Sequence, residues 1–150
     1  MKALYLSALF LLSTFLFTGH SYAGGSDINY AVQEVTSGIF YHRGVHQDAD
    51  EQNIGAIANV GFIIGERCVA VIDSGGSYQE GTLLRQAITQ KTDLPVCYVI
   101  NTHVHPDHTF GNAAFKNDKP EYTGHANLPA AMTARQPFFA NIFKDTLGQA

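Results

Sequence analysis

Six consecutive residues, His103-Val104-His105-Pro106-Asp107-His108, constrain this chain more than any other stretch. Three of its seven histidines and one aspartate gather there, directly behind the apolar run Val96–Ile100. Imidazole and carboxylate are standard ligands for zinc and related metals. The carboxyl end of a strand is where an α/β protein places its chemistry, and packing gives no reason to cluster such groups. In extended backbone, residues two apart point the same way. His103 and His105 are therefore expected to face one metal from adjacent pleats, Asp107 to continue that side, and His108 to turn to the other. Pro106 fixes its own φ and biases His105 toward extended geometry. Four donors facing two directions suit a two-metal site, with ions ~3.5–4 Å apart.

The pattern around the hexad reads as two hairpins followed by alternating strand and helix. Tyr30–Val35 and Ile39–His42 are expected strands, joined at Thr36-Ser37-Gly38. Val45–Asn53 is polar and loop-like, and its His46 is read as a solvated loop residue. Ile54–Ile64 and Cys68–Ile72 form a second expected hairpin across Gly65-Glu66-Arg67. Ser77-Tyr78-Gln79-Glu80 fits a capping box, in which the Ser caps a free N–H and the Glu reaches back. The helix it starts is expected to reach about Lys91, burying Leu83, Leu84, Ala87 and Ile88. A strand over Val96–Ile100, a short helix over Thr109–Phe115, a strand over Glu121–Thr123 and a helix over Asn127–Arg135 follow. The last is expected to stop before Pro137. Gly75-Gly76 precedes a helix, but its spacing matches neither of the common phosphate-binding loops.

At 150 residues one domain is the natural expectation. A hydrophobic content of 45% and a mean hydropathy of −0.04 mark a globular chain. The N-terminus differs. Lys2 precedes the uncharged apolar run Ala3–Phe17, and Ser21-Tyr22-Ala23 offers small residues for a signal peptidase. Residues 1–23 are thus expected to be a signal peptide cleaved after Ala23, with a periplasmic or secreted domain over 24–150. The apolar run falls short of the ~20 residues that span a bilayer, so no stable anchor is expected. Without Lys2 the net charge is −5, with 8 basic and 13 acidic residues. A mildly acidic chain without a basic patch argues against a nucleic-acid partner and leaves a small-molecule substrate. Export permits a disulfide, but Cys68 and Cys97, each in an apolar run, read as small buried thiols.

The string Thr102-His103-Val104-His105-Pro106-Asp107-His108 resembles the H-x-H-x-D-H signature of the metallo-β-lactamase superfamily. Val69-Ala70-Val71-Ile72-Asp73-Ser74-Gly75 is similar to that family's apolar strand ending in Asp-(Ser/Thr)-Gly, and Ala58–Ile64 to the strand before it. The wider string through Gly124-His125-Ala126-Asn127-Leu128-Pro129 is similar to a periplasmic branch, the quinoprotein relay system zinc metallohydrolases related to SoxH. The resemblance implies an αββα sandwich, of which this chain is the N-terminal half. It implies that His103 and His105 bind one zinc, that Asp107 and His108 bind a second, and that Asp107 orients the attacking water. It implies that Asp73 supports a ligand or the loop from behind; as residues alone, Asp-Ser-Gly-Gly is also good turn chemistry. Zinc is the implied metal, with iron and manganese also compatible with N and O donors.

The family site also needs a third His, a bridging Asp and a last His from the second half of the fold. Only 42 residues follow His108, and His125, the sole later histidine, matches no ligand position. The domain is therefore expected to be truncated. The implied function is a periplasmic hydrolase whose metal-activated hydroxide attacks an ester, thioester or amide-type carbonyl. The alternatives are a metallo-β-lactamase acting on β-lactam antibiotics and a non-catalytic metal-binding accessory of a quinoprotein or sulfur-oxidation system.

Overall fold

The computed structural model describes residues 29–147. The expected leader and its cleavage point after Ala23 lie outside the described residues. Six strands form one sheet in chain order: β1 (Val32–Thr36), β2 (Ile39–His42), β3 (Val60–Ile64), β4 (Val69–Ile72), β5 (Val96–Asn101) and β6 (Glu121–Gly124). β1 through β4 pair antiparallel, and β4–β5 and β5–β6 pair parallel. The parallel pairs need crossovers. The first is helix α1 (Tyr78–Thr89); the second is the short helix α2 (Pro106–Thr109) continued by a 3₁₀ helix over Phe110–Asp118. Helix α3 (Leu128–Leu147) follows β6. This is the mixed α/β half-sandwich expected from the sequence.

Side chains alternate across each strand. Phe40, Phe62, Val69, Val71 and Val99 face the helices, where Leu84, Ile88 and Phe115 close the core over them. On the other face Ile39, Ile63, Ala70 and Tyr98 stand in one cross-strand row. Ile39, Ile63 and Tyr98 are about two-fifths exposed, so this face is apolar and open among the described residues. α1 lies tightly on the 3₁₀ helix because Gly81 and Gly111 meet without side chains, and a Cβ on Gly111 would overlap the Ser74 carbonyl.

Three of the boundaries that differ from the sequence reading have a clear physical cause. The strand expected from Ile54 begins at Val60, because Ile54 and Gly55 both take left-handed backbone (φ 51° and 76°) and end any extended run. The helix expected at Thr109 begins at Pro106, whose preset φ and missing N–H suit a first helical position. The helix expected to end before Pro137 runs through it to Leu147. Its far half is held by tertiary contact: Phe139 packs edge-on against His105, Phe143 against Phe110, and Leu147 is buried. Packing of this kind outweighs the hydrogen bond a proline forfeits.

Two further details correct the sequence reading. Cys68 and Cys97 are half-buried and joined as a disulfide with Cα atoms 5.8 Å apart, not free thiols. Cys68 immediately precedes β4 and Cys97 lies on its parallel neighbour β5, which brings the two within bridging reach. In the capping box Ser77 Oγ accepts from the Glu80 N–H (3.0 Å) as expected, but the Glu80 carboxylate reaches past Ser77 to the Gly76 N–H (2.6 Å). Glu80 is wholly buried, and burial pushes its carboxyl up from 4.5 to about 8, against the opposing pull of the Gly76 hydrogen bond.

Two outcomes follow. The bridge closes a 29-residue span that contains α1. Its reduction is expected to lower unfolding free energy by roughly 2–4 kcal/mol, read as a lower urea midpoint in dithiothreitol; an unchanged midpoint contradicts it. Between pH 4.5 and about 8 the folded chain holds the Glu80 proton while the unfolded chain releases it. Stability contributed by this group is therefore fully present below 4.5 and falls as pH rises, by at most ~1.4 kcal/mol per pH unit. Glu80→Gln is expected to flatten that slope in denaturant titrations across the window, and a slope identical to wild type contradicts the assignment.

Candidate metal centre

β4 and β5 are parallel neighbours, so both end at the same edge of the sheet. Asp73 follows β4 directly, and Thr102 and His103 follow β5. Asp73 adopts left-handed backbone (φ 55°), a conformation Asp tolerates better than most residues, and is 3% exposed. The turn aims its carboxylate across the gap. Oδ1 accepts the Thr102 N–H at 2.8 Å, while Oδ2 accepts both the Thr102 hydroxyl (2.8 Å) and His108 Nδ1 (2.8 Å).

These contacts assign the imidazole tautomers. The Thr102 hydroxyl has one proton, and Asp73 takes it. His103 Nδ1, 2.9 Å from that oxygen, must then donate to it. His108 Nδ1 likewise donates to a carboxylate. Both rings are left with Nε2 free of these bonds. His108 Nε2 faces Asp107 Oδ2 at 3.3 Å. The His103 ring stands 4.0 Å from the His108 ring and 4.8 Å from the His105 ring, centroid to centroid. The structure thus gathers all four hexad donors on one patch, with Asp73 behind them.

The route differs from the sequence expectation. Asp107 and His108 do not continue a pleat; both lie on the α2 turn that Pro106 opens. The His108 N–H bonds back to the His105 carbonyl (3.1 Å), and the Ser74 N–H holds the His108 carbonyl (2.9 Å). Helical curvature, not strand alternation, turns Asp107 and His108 toward the other histidines.

The electrostatics follow from this crowding. Burial alone would lower His108, but its bonds to Asp107 and Asp73 outweigh that and raise it to about 9. Asp107 is held below the usual carboxylate range, chiefly by its hydrogen bond to His108. His103 is pushed down by burial and by its two histidine neighbours. Among the described residues, no three of these donors converge as a finished metal cage. The donor set nonetheless fits a divalent metal in kind: imidazole Nε2 atoms with Nδ1 anchored, beside an ionised carboxylate.

Residues that sequence reasoning missed complete the frame. Asn101, 4% exposed, exchanges side-chain hydrogen bonds with Asn112 (3.1 and 2.8 Å), and Ser74 Oγ donates to Asn112 Oδ1 (2.8 Å). The only sequence signal was polarity where a strand end should be apolar. His125 directly follows β6, its Nδ1 accepting the Asn127 N–H at 3.1 Å. With Thr102, His103, Val104 and Leu128 it lines a cavity of about 210 Å³ beside the hexad. A second cavity of about 240 Å³, bounded by Val104, Met132 and Phe139, lies on the hexad's other flank. His46 is exposed, and its ring makes no hydrogen bond among the described residues.

Residues 54–139 match the metallo-β-lactamase superfamily. No curated protein sequence matches the chain. Among solved structures it is similar to TMB-1 (20% identity, TM-score 0.57, covering 71% of this chain and 47% of that one). It is also similar to a metallo-β-lactamase from Hirschia baltica (14% identity, TM-score 0.58, covering 71% and 48%). The chain therefore spans about half the length of these structures, and the likeness is one of fold. With a matched segment that includes Asp73 and the whole hexad, this chain belongs to the metallo-β-lactamase superfamily.

Proposed function

We propose that this chain carries the first half of a dinuclear metal site in a periplasmic hydrolase. His103 and His105 hold one ion; Asp107 and His108 hold the other. One observation carries the reading: the Asp73 carboxylate ties Nδ1 of His108 directly, and Nδ1 of His103 through Thr102, which leaves Nε2 of each ring free of that anchor. Tying the far nitrogen of a ligating imidazole to a carboxylate fixes its tautomer and raises its basicity. Zinc is the favoured metal, and iron or manganese are compatible with the same donors.

When bound, zinc supplies a water acidified toward pH ~7 and polarisation of the substrate carbonyl. The chain's own groups do the rest. Asp73 holds the imidazoles in register. Asp107, ionised at neutral pH, accepts a hydrogen bond from the attacking water and orients it. The neighbouring cavities, walled by Val104, Leu128 and Phe139, offer apolar surface against which a substrate can rest. The substrate class is an ester, thioester or amide-type carbonyl compound. The apolar run Ala3–Phe17, read as a leader, supports a location outside the cytoplasm, and the Cys68–Cys97 bridge agrees with it because disulfides persist in oxidising compartments. Similarity to the quinoprotein relay branch supports a role beside quinoprotein dehydrogenases.

The test is zinc affinity, by competition with a chromogenic chelator, together with hydrolysis of an ester, thioester and β-lactam panel. His103→Ala and His108→Ala are expected to abolish zinc uptake, and Asp73→Ala to weaken it ~10–100-fold. Zinc-dependent ester or thioester turnover supports the proposed substrate class, whereas turnover of β-lactams alone overturns it in favour of a lactamase. Zinc bound without any turnover favours the accessory role, and zinc uptake indifferent to His103 and His108 removes the metal reading.

A further inference from the structure

Glu80 lies outside the hexad, yet it is among the most completely buried residues of the chain. Its side chain is aimed at the loop that carries Asp73. Oε2 accepts the Gly76 N–H at 2.6 Å, and Oε1 lies 3.5 Å from the Tyr30 hydroxyl. Gly75 (φ 97°) packs so closely that a Cβ there would overlap the Glu80 carboxyl group. The same loop is gripped from its other side. Ser74 N–H donates to the His108 carbonyl, and the Gly111 N–H donates to the Gly75 carbonyl, each at 2.9 Å. Tyr30 in turn stacks on His42, with ring centroids 3.8 Å apart, which links the clamp to β2.

We propose that Glu80 is a positioning residue for the metal centre: its buried carboxyl group, shared between Gly76 and Tyr30, fixes the Asp73–Gly76 loop and thereby the carboxylate that orients His103 and His108. The inference rests on the metal reading above and deepens it. A buried carboxyl group is costly unless its polar atoms find partners. Leucine, of similar volume, would satisfy the core without that cost, but it would leave the Gly76 N–H without an acceptor. The residue present is the one that holds the loop rather than the one that merely fills space. Its neutral form at pH 7 also adds no negative charge behind Asp73.

Two readouts on the full chain test this. The first is native-state amide exchange of the metal-free protein; the second is zinc affinity by chelator competition. Glu80→Leu is expected to speed exchange at Ser74, Gly76 and Thr102 about tenfold while Phe62 and Val71 keep wild-type rates, and to weaken zinc binding about tenfold. Glu80→Gln, which keeps an acceptor for the Gly76 N–H and sets an amide N–H against the Tyr30 hydroxyl oxygen, is expected to restore both. Wild-type exchange at Thr102 in Glu80→Leu overturns the proposal. So does acceleration spread evenly over the sheet, which would make Glu80 merely structural. Should Glu80→Leu fail to fold, Tyr30→Phe must still speed exchange at Gly76, and wild-type exchange there overturns the clamp. If the wild-type chain takes up no zinc, the metal reading fails while the exchange comparison still decides whether Glu80 fixes the loop.

Discussion

The site depends on one buried carboxylate. Asp73 accepts three hydrogen bonds, all at 2.8 Å, from two residues that lie about thirty positions away in sequence. Hydrogen bonds to charged groups contribute roughly 1.5–3 kcal/mol each, and removing the acceptor would leave the donors of Thr102 and His108 without this partner. The arrangement requires parallel pairing of β4 and β5, because only then do the two strand ends emerge side by side. It also requires the left-handed turn at Asp73, which sends the chain toward α1 while the side chain points to Thr102.

Around that carboxylate the frame is built from close backbone approach. Gly81 and Gly111 let α1 and the 3₁₀ helix touch, which seats Asn112 against Asn101 and Ser74. Among the described residues no buried side-chain nitrogen or oxygen lacks a partner. A fully satisfied polar network of this kind is rigid, and rigidity is what a metal centre asks of its supports. The hexad itself is less constrained. His105 is exposed, its ring edge-on to both His103 and Phe139, and the donors are gathered on one patch without closing into a cage.

Much of this was legible in the sequence where local rules act alone. β2 falls on the expected residues, and α1 starts where Ser77 caps it. Asp73 was singled out from its place at a strand end, and the structure sets it against His108. The failures arose where tertiary contact or backbone chirality overrode local pattern. Ile54 is apolar and β-branched, yet it sits in left-handed backbone and breaks the expected strand. Pro137 should have ended α3, but aromatic contacts to His105 and Phe110 carry the helix past it. Pro106 holds His105 extended as expected, but it also starts the turn that delivers Asp107 and His108, which the sequence reading did not foresee. The disulfide and the loop-directed role of Glu80 were invisible, because each depends on a partner brought near only by the fold.

The central claim is that Asp73 sets the tautomers of His103 and His108 before any metal arrives. Long-range proton–nitrogen correlation spectra of histidine-labelled, metal-free protein, recorded above the His108 titration near pH 9, read this directly. The account predicts that both rings carry their proton on Nδ1, the minority form of a free imidazole, and that Asp73→Asn returns them toward Nε2. Protons on Nε2 of both rings in the wild-type chain would contradict it.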